Sequence, residues 1–222
     1  MGATIGEILG FAVGVAISPV PVIAVILMLF TNKATANSLS FLGGWILGLA
    51  IAGGVVLALG IEGSGGEEST TSGWIKIAVA LMLFALAWKQ WSGRPRGDED
   101  PELPGWMAAI DSFTAVKAGG LGVVLSAVNP KNLGLTIVAM STVSSAGLST
   151  GQEIGTLAVF VAISSVTVAA PVIINVVMGS KATALLDSMK LWLTANNNTV
   201  MMVLFIVIGA KVLGDGLAIV LA

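Results

Sequence analysis

The chain has 222 residues, of which 56% are hydrophobic and 10% are charged, and its formal net charge is −2. A mean hydropathy of +0.99 is more apolar surface than a soluble domain of this length could bury, so the composition indicates an integral membrane protein. The absence of Cys and His excludes thiol redox chemistry, Cys/His metal sites and histidine proton relays. The small negative charge favours no nucleic-acid partner, and no cofactor or metal is expected.

Apolar windows of about 20 residues, long enough to cross a bilayer, follow one another along the chain. Six can be counted, at residues 5–30, 39–61, 74–91, 118–140, 154–178 and 199–222. Their apolar runs are continuous rather than alternating, which favours helices over membrane strands. The sequence therefore predicts an all-α integral membrane protein whose residues 1–222 form one transmembrane domain.

The first window contains the segment AISPVPVIAVILML, in which Ser18, Pro19 and Pro21 interrupt an apolar run. Proline has no N–H and clashes with the carbonyl one turn before it, so a helix kinks or breaks there. In lipid, a freed backbone group is costly unless a partner satisfies it. The segment therefore predicts a break facing protein or a water-filled cavity, with a harmless proline kink as the alternative.

Small residues at four-residue intervals occur in the first two windows. They are Gly6, Gly10, Gly14 and Ser18 in the first, and Gly44 and Gly48 in the second. This pattern favours the close approach of a neighbouring membrane helix.

A charged, Pro-rich stretch, SGRPRGDEDPELPG, follows the third window and is typical of an extended connector. It divides the chain into a first repeat over about residues 1–92, a cytoplasmic linker over about 93–116, and a second repeat over about 117–222.

Two stretches show apolar residues at helical spacing outside the windows: Trp106, Ile110 and Phe113, and later Leu185, Met189 and Leu193. Each is either a short amphipathic helix on the membrane surface or the polar lead-in to the next span.

The fourth window contains the segment AVNPKNLGLTIVAM, with a second break at Asn129, Pro130, Lys131 and Asn132. A charge near mid-membrane costs at least about 2.5–3.5 kcal/mol on insertion scales, so Lys131 needs a partner or a cavity. The two amides, and Ser18 from the first break, can supply hydrogen bonds. A cationic group flanked by amides suits an anionic or zwitterionic ligand, and snorkelling or structural pairing of Lys131 is the alternative.

The two breaks share one offset along the chain. Pro19 aligns with Pro130, and the same shift of half the chain aligns Gly44 with Gly155. Each half holds three spans, an odd number, so the second half inserts upside down. Inverted repeats with broken helices are typical of secondary transporters, in which half-helix ends face a substrate or ion at mid-membrane. The sequence thus predicts six transmembrane helices in two inverted three-helix repeats, the first and fourth helices being broken at the prolines.

Four polar residues of the later windows are further candidates for the transport pathway. Lys211 and Asp215 lie four apart, on one helix face, and either line the pathway, with Asp215 carrying protons, or neutralise each other near the outer interface. Glu153 is a second candidate for ion coupling or a solvated boundary charge. Asn175 either lines the cavity or bonds to a neighbouring helix.

Loop charges give the orientation. Lys and Arg occur in the first, third and fifth loops, whereas the second and fourth contain neither. By the positive-inside rule the odd loops are cytoplasmic and both termini lie outside. Tryptophans are expected at the membrane interfaces, among them Trp45, Trp74, Trp88 and Trp91.

The motif NPKN in the fourth span, together with SPVP in the first, resembles the lysine-exporter (LysE) superfamily of small bacterial efflux proteins. Within it, AISPVPVIAVILML is most similar to the actinobacterial glycolipid-addressing branch, the GAP or sulfolipid-addressing proteins. The amino-acid exporters usually show Pro-Gly-Pro in the first span. Here Val20 stands in place of the glycine, which favours the glycolipid branch.

The resemblance implies six spans in two inverted units, with a functional centre at Pro19, Pro21, Asn129, Pro130 and Lys131. It also implies a bacterial plasma-membrane protein that moves cell-envelope glycolipids outward beside a larger lipid transporter.

The residues themselves leave several functions open. One is an exporter of a glycolipid or of a small anionic or zwitterionic, amino-acid-like solute, and another is a non-transporting accessory subunit that scaffolds a lipid-export complex. A membrane enzyme is not expected, because no clustered catalytic groups occur. No nucleotide-binding motif is present, which disfavours direct ATP hydrolysis. The oligomeric state, a homodimer included, is open.

Overall fold

The computed structural model describes residues 1–60, 70–94 and 105–221, and every element in this part of the chain is helical. The helices are α1 (Gly2–Ala16), α2 (Pro19–Leu29), α3 (Ala34–Ala58), α4 (Thr70–Ser92), α5 (Ala115–Val123), α6 (Pro130–Ser144), α7 (Thr150–Met178) and α8 (Ala182–Val220). Short 3-10 helices cover Gly105–Ser112 and Gly179–Lys181, and a π-helical turn, Val124–Val128, continues α5. The all-helical prediction is confirmed for these residues. Most of the predicted connector, 95–104, and most of the second loop, 61–69, lie outside them.

Among the described residues, length and composition identify two helical stretches able to cross a membrane, Ala34–Ala58 and Thr150–Val220. There are up to four if each of two bent helix pairs is one span: α1 with α2, bent by 51°, and α5 with its π-turn and α6, bent by 58°. The apolar part of α4, Ile77–Ser92, is shorter. The structure thus shows a membrane protein with two to four candidate spans, and the six-span inverted repeat stays a prediction.

Both bends fall at the prolines singled out in the sequence. Pro19 begins α2 and Pro130 begins α6. At the first position of a helix the missing N–H of proline leaves no helical bond unmade. The residues just before them, Ser18 with ψ 87° and Asn129 with ψ 119°, have left the helical region, as a following proline favours. Each pair is therefore two helices joined by a short break.

The chain forms two compact units. Unit one comprises Met1–Gly63 and Glu102–Thr194, and unit two comprises Ser64–Pro101 and Ala195–Ala222. In unit one, α3 packs on α5 and α6, while α7 packs on α1 and α2. The long helix α3, which follows the pair α1 and α2, therefore packs on the pair α5 and α6. In the same way α7, which follows α5 and α6, packs on α1 and α2.

Glycines allow α3 and α5 to come into backbone contact. A Cβ at Gly44 would overlap the carbonyl of Gly119, and a Cβ at Gly48 would overlap the hydroxyl of Ser126. This is the close approach that small residues permit in membrane helices. In α1 the pattern marks no contact at Gly6 or Gly10, where a Cβ would meet nothing within 4 Å, whereas Gly14 is buried.

Unit two pairs α4 with the C-terminal part of α8 in antiparallel fashion. Gly73, near the start of α4, faces Val220, and Phe84 faces Gly209. At the other end of the pair, Asn198 Nδ2 donates to the carbonyl oxygen of Gly93 at 2.6 Å.

One tryptophan departs from the interfacial positions expected of it. Trp45 is 0% exposed and lies in the core of unit one, so it is not an interface anchor. Trp74, Trp88 and Trp91 are exposed, as side chains that meet lipid or the interface would be.

The two amphipathic stretches have different outcomes. The first contains the 3-10 helix Gly105–Ser112, in which Ile110 is buried. The second is not a separate surface helix: its residues belong to the continuous α8, and Leu186 rather than Leu185 is the buried side chain. This stretch is continuous with the residues of the last apolar window, as the lead-in interpretation expects.

Candidate functional site

The first break is a polar centre inside unit one. Where α1 ends, its last backbone carbonyls lose the N–H groups that a continuing helix would supply. Pro19 has no N–H for the carbonyl of Val15, and the hydroxyl of Ser18 donates to that oxygen instead, at 2.7 Å. The N–H of Ser18 turns back to the carbonyl of Ala16, at 2.8 Å. Ser18 therefore satisfies two of the freed carbonyls.

Lys131 satisfies two more. From the first turn of α6, its Nζ donates to the carbonyl oxygens of Gly14 at 3.0 Å and Ile17 at 2.8 Å, and to Ser18 Oγ at 2.7 Å. An ammonium group has three N–H donors, so all of them are used inside the protein. The lysine of the second break thus holds the end of the helix that the first break interrupts.

Two asparagines order the second break around this lysine. Asn129 caps α6, its Oδ1 accepting from the backbone N–H of Lys131 at 3.0 Å. Asn132 is 0% exposed. Its Nδ2 donates to the carbonyl of Leu125 in the π-turn at 2.9 Å, and its Oδ1 lies 3.3 Å from Ser18 Oγ. Asn132 therefore connects both breaks, at a point where the π-turn has freed a carbonyl.

Two hydroxyl groups of α7 donate hydrogen bonds to backbone carbonyls of α1. Ser164 Oγ donates to the carbonyl of Ala12 at 3.3 Å, and Thr167 Oγ1 donates to the carbonyl of Ala16. Sequence reasoning missed both residues. Their only signal is hydroxyl spacing on one face of an apolar span, and this signal is weak because membrane hydroxyls often bond within their own helix, as Ser165 does to Val161.

The centre of the break is electrostatically polarised. The C-terminal end of α1 carries the negative end of a helix dipole, and a cation is stabilised there. Lys131 supplies that cation, and its acceptors are neutral backbone carbonyls and a hydroxyl. If the ammonium moved away from α1, it would be an anion-binding group next to the N-terminus of α6.

The prolines of the candidate site lie at the starts of the second half-helices. Pro19 and Pro21 are buried and Pro130 is exposed. Pro19 and Pro21 remove two N–H donors from the first turn of α2. A proline side chain carries no hydrogen-bonding group, so the effect of these residues that the structure shows is on the shape of the break.

The hydrogen bonds described above do not involve the other predicted residues. Glu153 is half-buried in the first turn of α7, and Asn175 is half-buried near its end, where its backbone carbonyl accepts the N–H of Gly179. Lys211 and Asp215 are in unit two and form an ion pair at 3.0 Å, with side chains 52% and 47% exposed. The ion pair is the one that their four-residue spacing predicts.

Comparison with known protein families finds a match. A family model described as Sap, sulfolipid-1-addressing protein (SfLAP) matches residues 8–218. No curated protein matches the chain, and no solved structure does.

Proposed function

This chain belongs to the sulfolipid-1-addressing protein family, and on that premise we propose that it is a LysE-type exporter. Its cargo is a cell-envelope glycolipid or another anionic or zwitterionic amphiphile. It moves this cargo outward across a bacterial plasma membrane, through a site between the two broken helices, and works beside a larger lipid transporter.

The packing of the helices supports a six-span inverted repeat. The contacts of α3 with α5 and α6 mirror those of α7 with α1 and α2. In this scheme α4 and the C-terminal part of α8 are the third and sixth spans, and their antiparallel pairing in unit two is what inversion requires of equivalent helices. By the positive-inside rule both termini are extracytoplasmic.

The single observation that carries the proposal is that Lys131, in the second break, donates hydrogen bonds to residues of the first break. Its Nζ contacts atoms of residues 113 to 117 positions earlier in the chain. In transporters, substrate and ion sites lie where discontinuous helices meet at the repeat interface. In our proposal Lys131 leaves the end of α1 to bind the anionic headgroup, with Ser18, Asn129 and Asn132 as further ligands, while Pro19, Pro21 and Pro130 hold the breaks open.

An apolar groove on unit one supports an amphiphilic cargo over a small amino acid. It has a volume of about 470 Å³ and is lined by α3 and α7, including Ile46, Val166 and Ile173. Ligand pockets of a few hundred Å³ are mostly apolar with a few polar groups that fix orientation. A groove of this kind suits an acyl chain.

The test is transport into inside-out proteoliposomes. Labelled anionic glycolipid and labelled amino acids are offered in parallel to the natural protein, Lys131→Ala and Pro130→Ala at equal density, with Lys211→Ala as the exposed-lysine control. Glycolipid should accumulate in the lumenal leaflet with the natural protein and the control, and accumulation should be lost in the two break variants. Amino-acid uptake without glycolipid movement would replace the glycolipid with a small solute. Equal glycolipid movement by all four proteins would refute a site at the breaks.

A second function is favoured by one observation. All three N–H groups of Lys131 are bonded inside the protein, which also suits a purely structural lysine. The alternative is a non-transporting accessory subunit that scaffolds a lipid-export complex. Absence of any flux from a folded protein, together with cross-linking to a large lipid transporter in native membranes, would select it.

A further inference from the structure

The end of α1 presents three converging oxygen atoms. The carbonyls of Gly14 and Ile17 and the hydroxyl of Ser18 lie 3.0, 2.8 and 2.7 Å from the single nitrogen at the tip of Lys131. Charge-assisted N–H···O bonds have lengths of about 2.7–2.9 Å. The distances from Nζ to these three oxygens are therefore those of three hydrogen bonds accepted from one ammonium group.

We infer that this end of α1 is a binding site for a monovalent, ammonium-like cation, and that the chain fills the site with its own lysine. Unwound carbonyls and half-helix C-termini of broken transporter helices coordinate free Na⁺ or H⁺. Here oxygens of the same kind accept from a side chain that starts at the other break. The cation that stabilises this helix end is thus part of the chain itself, and the first break needs no free cation while Lys131 is bound there.

The chemistry of the donors defines the class of ion. Each contact of Lys131 Nζ is to a neutral oxygen, two from backbone and one from a hydroxyl. Ca²⁺ needs about six to eight oxygens at 2.3–2.6 Å, and Mg²⁺ an octahedral set at about 2.0–2.1 Å. Three oxygens at hydrogen-bond distance fit a primary ammonium best. K⁺, which carbonyl rings bind in channel filters, is the next candidate.

One consequence rests on the proposed function: before the cargo enters, with Lys131 still bound to the end of α1, the natural protein should not require Na⁺. The cation site itself is tested without any transport measurement.

The test is chemical rescue of Lys131→Ala, measured as the midpoint of thermal unfolding in lipid nanodiscs. The chloride salts of methylammonium, K⁺, Na⁺ and tetramethylammonium are compared at equal ionic strength. Methylammonium reproduces the tip of the missing side chain, whereas tetramethylammonium has the charge and no N–H. At about ten times its dissociation constant, methylammonium should raise the midpoint by roughly 3–6 °C over tetramethylammonium.

Two matched proteins should not respond. In the natural protein the site is already occupied, and in Lys131→Met an uncharged side chain of similar length covers it. Their midpoints should be equal in the four salts. A Lys131→Ala midpoint that is also equal in all four would overturn the inference.

If Lys131→Ala does not fold, the inference is tested by the midpoint of thermal unfolding of the natural protein. Its midpoint and that of Ser18→Ala, which keeps the lysine, should be the same in Na⁺ and tetramethylammonium, and a clear Na⁺ requirement in the natural protein would overturn a filled site. The two proposals can fail separately. Salt-specific rescue without glycolipid flux would refute the exporter and keep the cation site, and flux without rescue would do the reverse.

Discussion

The contact between α3 and α5 can be tested with two adjacent glycines, Gly43 and Gly44. A Cβ at Gly44 would lie 2.8 Å from the carbonyl carbon and 3.0 Å from the Cα of Gly119, whereas a Cβ at Gly43 meets nothing within 4 Å. Gly→Ala inside a helix gains up to about 1 kcal/mol in propensity at either position. At Gly44 alone, overpacking costs about 1–3 kcal/mol, and the obstructing atoms are backbone, so no rotamer change relieves the clash.

The difference between the two variants isolates the packing. Because the propensity gain is shared, Gly44→Ala should unfold at a midpoint roughly 2–12 °C below Gly43→Ala, and Gly43→Ala should match or exceed the natural protein. Thermal unfolding in nanodiscs followed by circular dichroism measures both. Since α5 leads into the π-turn and the second break, Gly44→Ala should also lose glycolipid movement in the proteoliposome assay. A Gly44→Ala midpoint equal to or above that of Gly43→Ala would refute the backbone contact between α3 and α5.

Three smaller predictions follow from the hydrogen bonds. Asn132→Leu should destabilise unit one by about 1–3 kcal/mol, because it leaves the carbonyl of Leu125 unsatisfied in a buried place; a denaturation midpoint unchanged from the natural protein would contradict this. Thr167→Val should have a smaller effect, about 0.5–1.5 kcal/mol, because the carbonyl of Ala16 keeps the N–H of Ser18; an effect as large as that of Asn132→Leu would show that the serine bond is not enough. Lys211→Ala removes an exposed ion pair and should change stability by no more than about 1 kcal/mol, with glycolipid flux unaffected; loss of flux would place this pair on the pathway.

Predicting the breaks was possible because proline acts locally. Pro19 and Pro130 each remove an N–H and disfavour a helical conformation in the residue before them, which here is the polar Ser18 or Asn129. Proline alone does not decide a break, because Pro171 lies inside the continuous helix α7. The four-residue glycine pattern was less informative. It predicted the contact at Gly44 correctly and that at Gly10 wrongly, because a missing side chain only permits a close approach, and a neighbouring helix must be present to use it.

The position of Trp45 and the extent of α8 show where residue type alone does not distinguish between two structural environments. An indole suits a membrane interface and also a protein core, so the sequence placed Trp45 at the interface and the structure buries it. The apolar spacing at Leu185 and Met189 fits a surface helix and equally a helix that runs on into the next span, as α8 does.

Composition and the two proline motifs determined by themselves that the chain is a helical membrane protein with two matched breaks and a lysine in the second. The tertiary structure alone decided what that lysine binds. Its partners are chiefly the carbonyls of Gly14 and Ile17, and every residue has a carbonyl, so no letter of the sequence marks these two as acceptors. They become a cation site because the packing of α6 against α1 brings the ammonium of Lys131 to the one end of α1 whose carbonyls the break has left without helical donors.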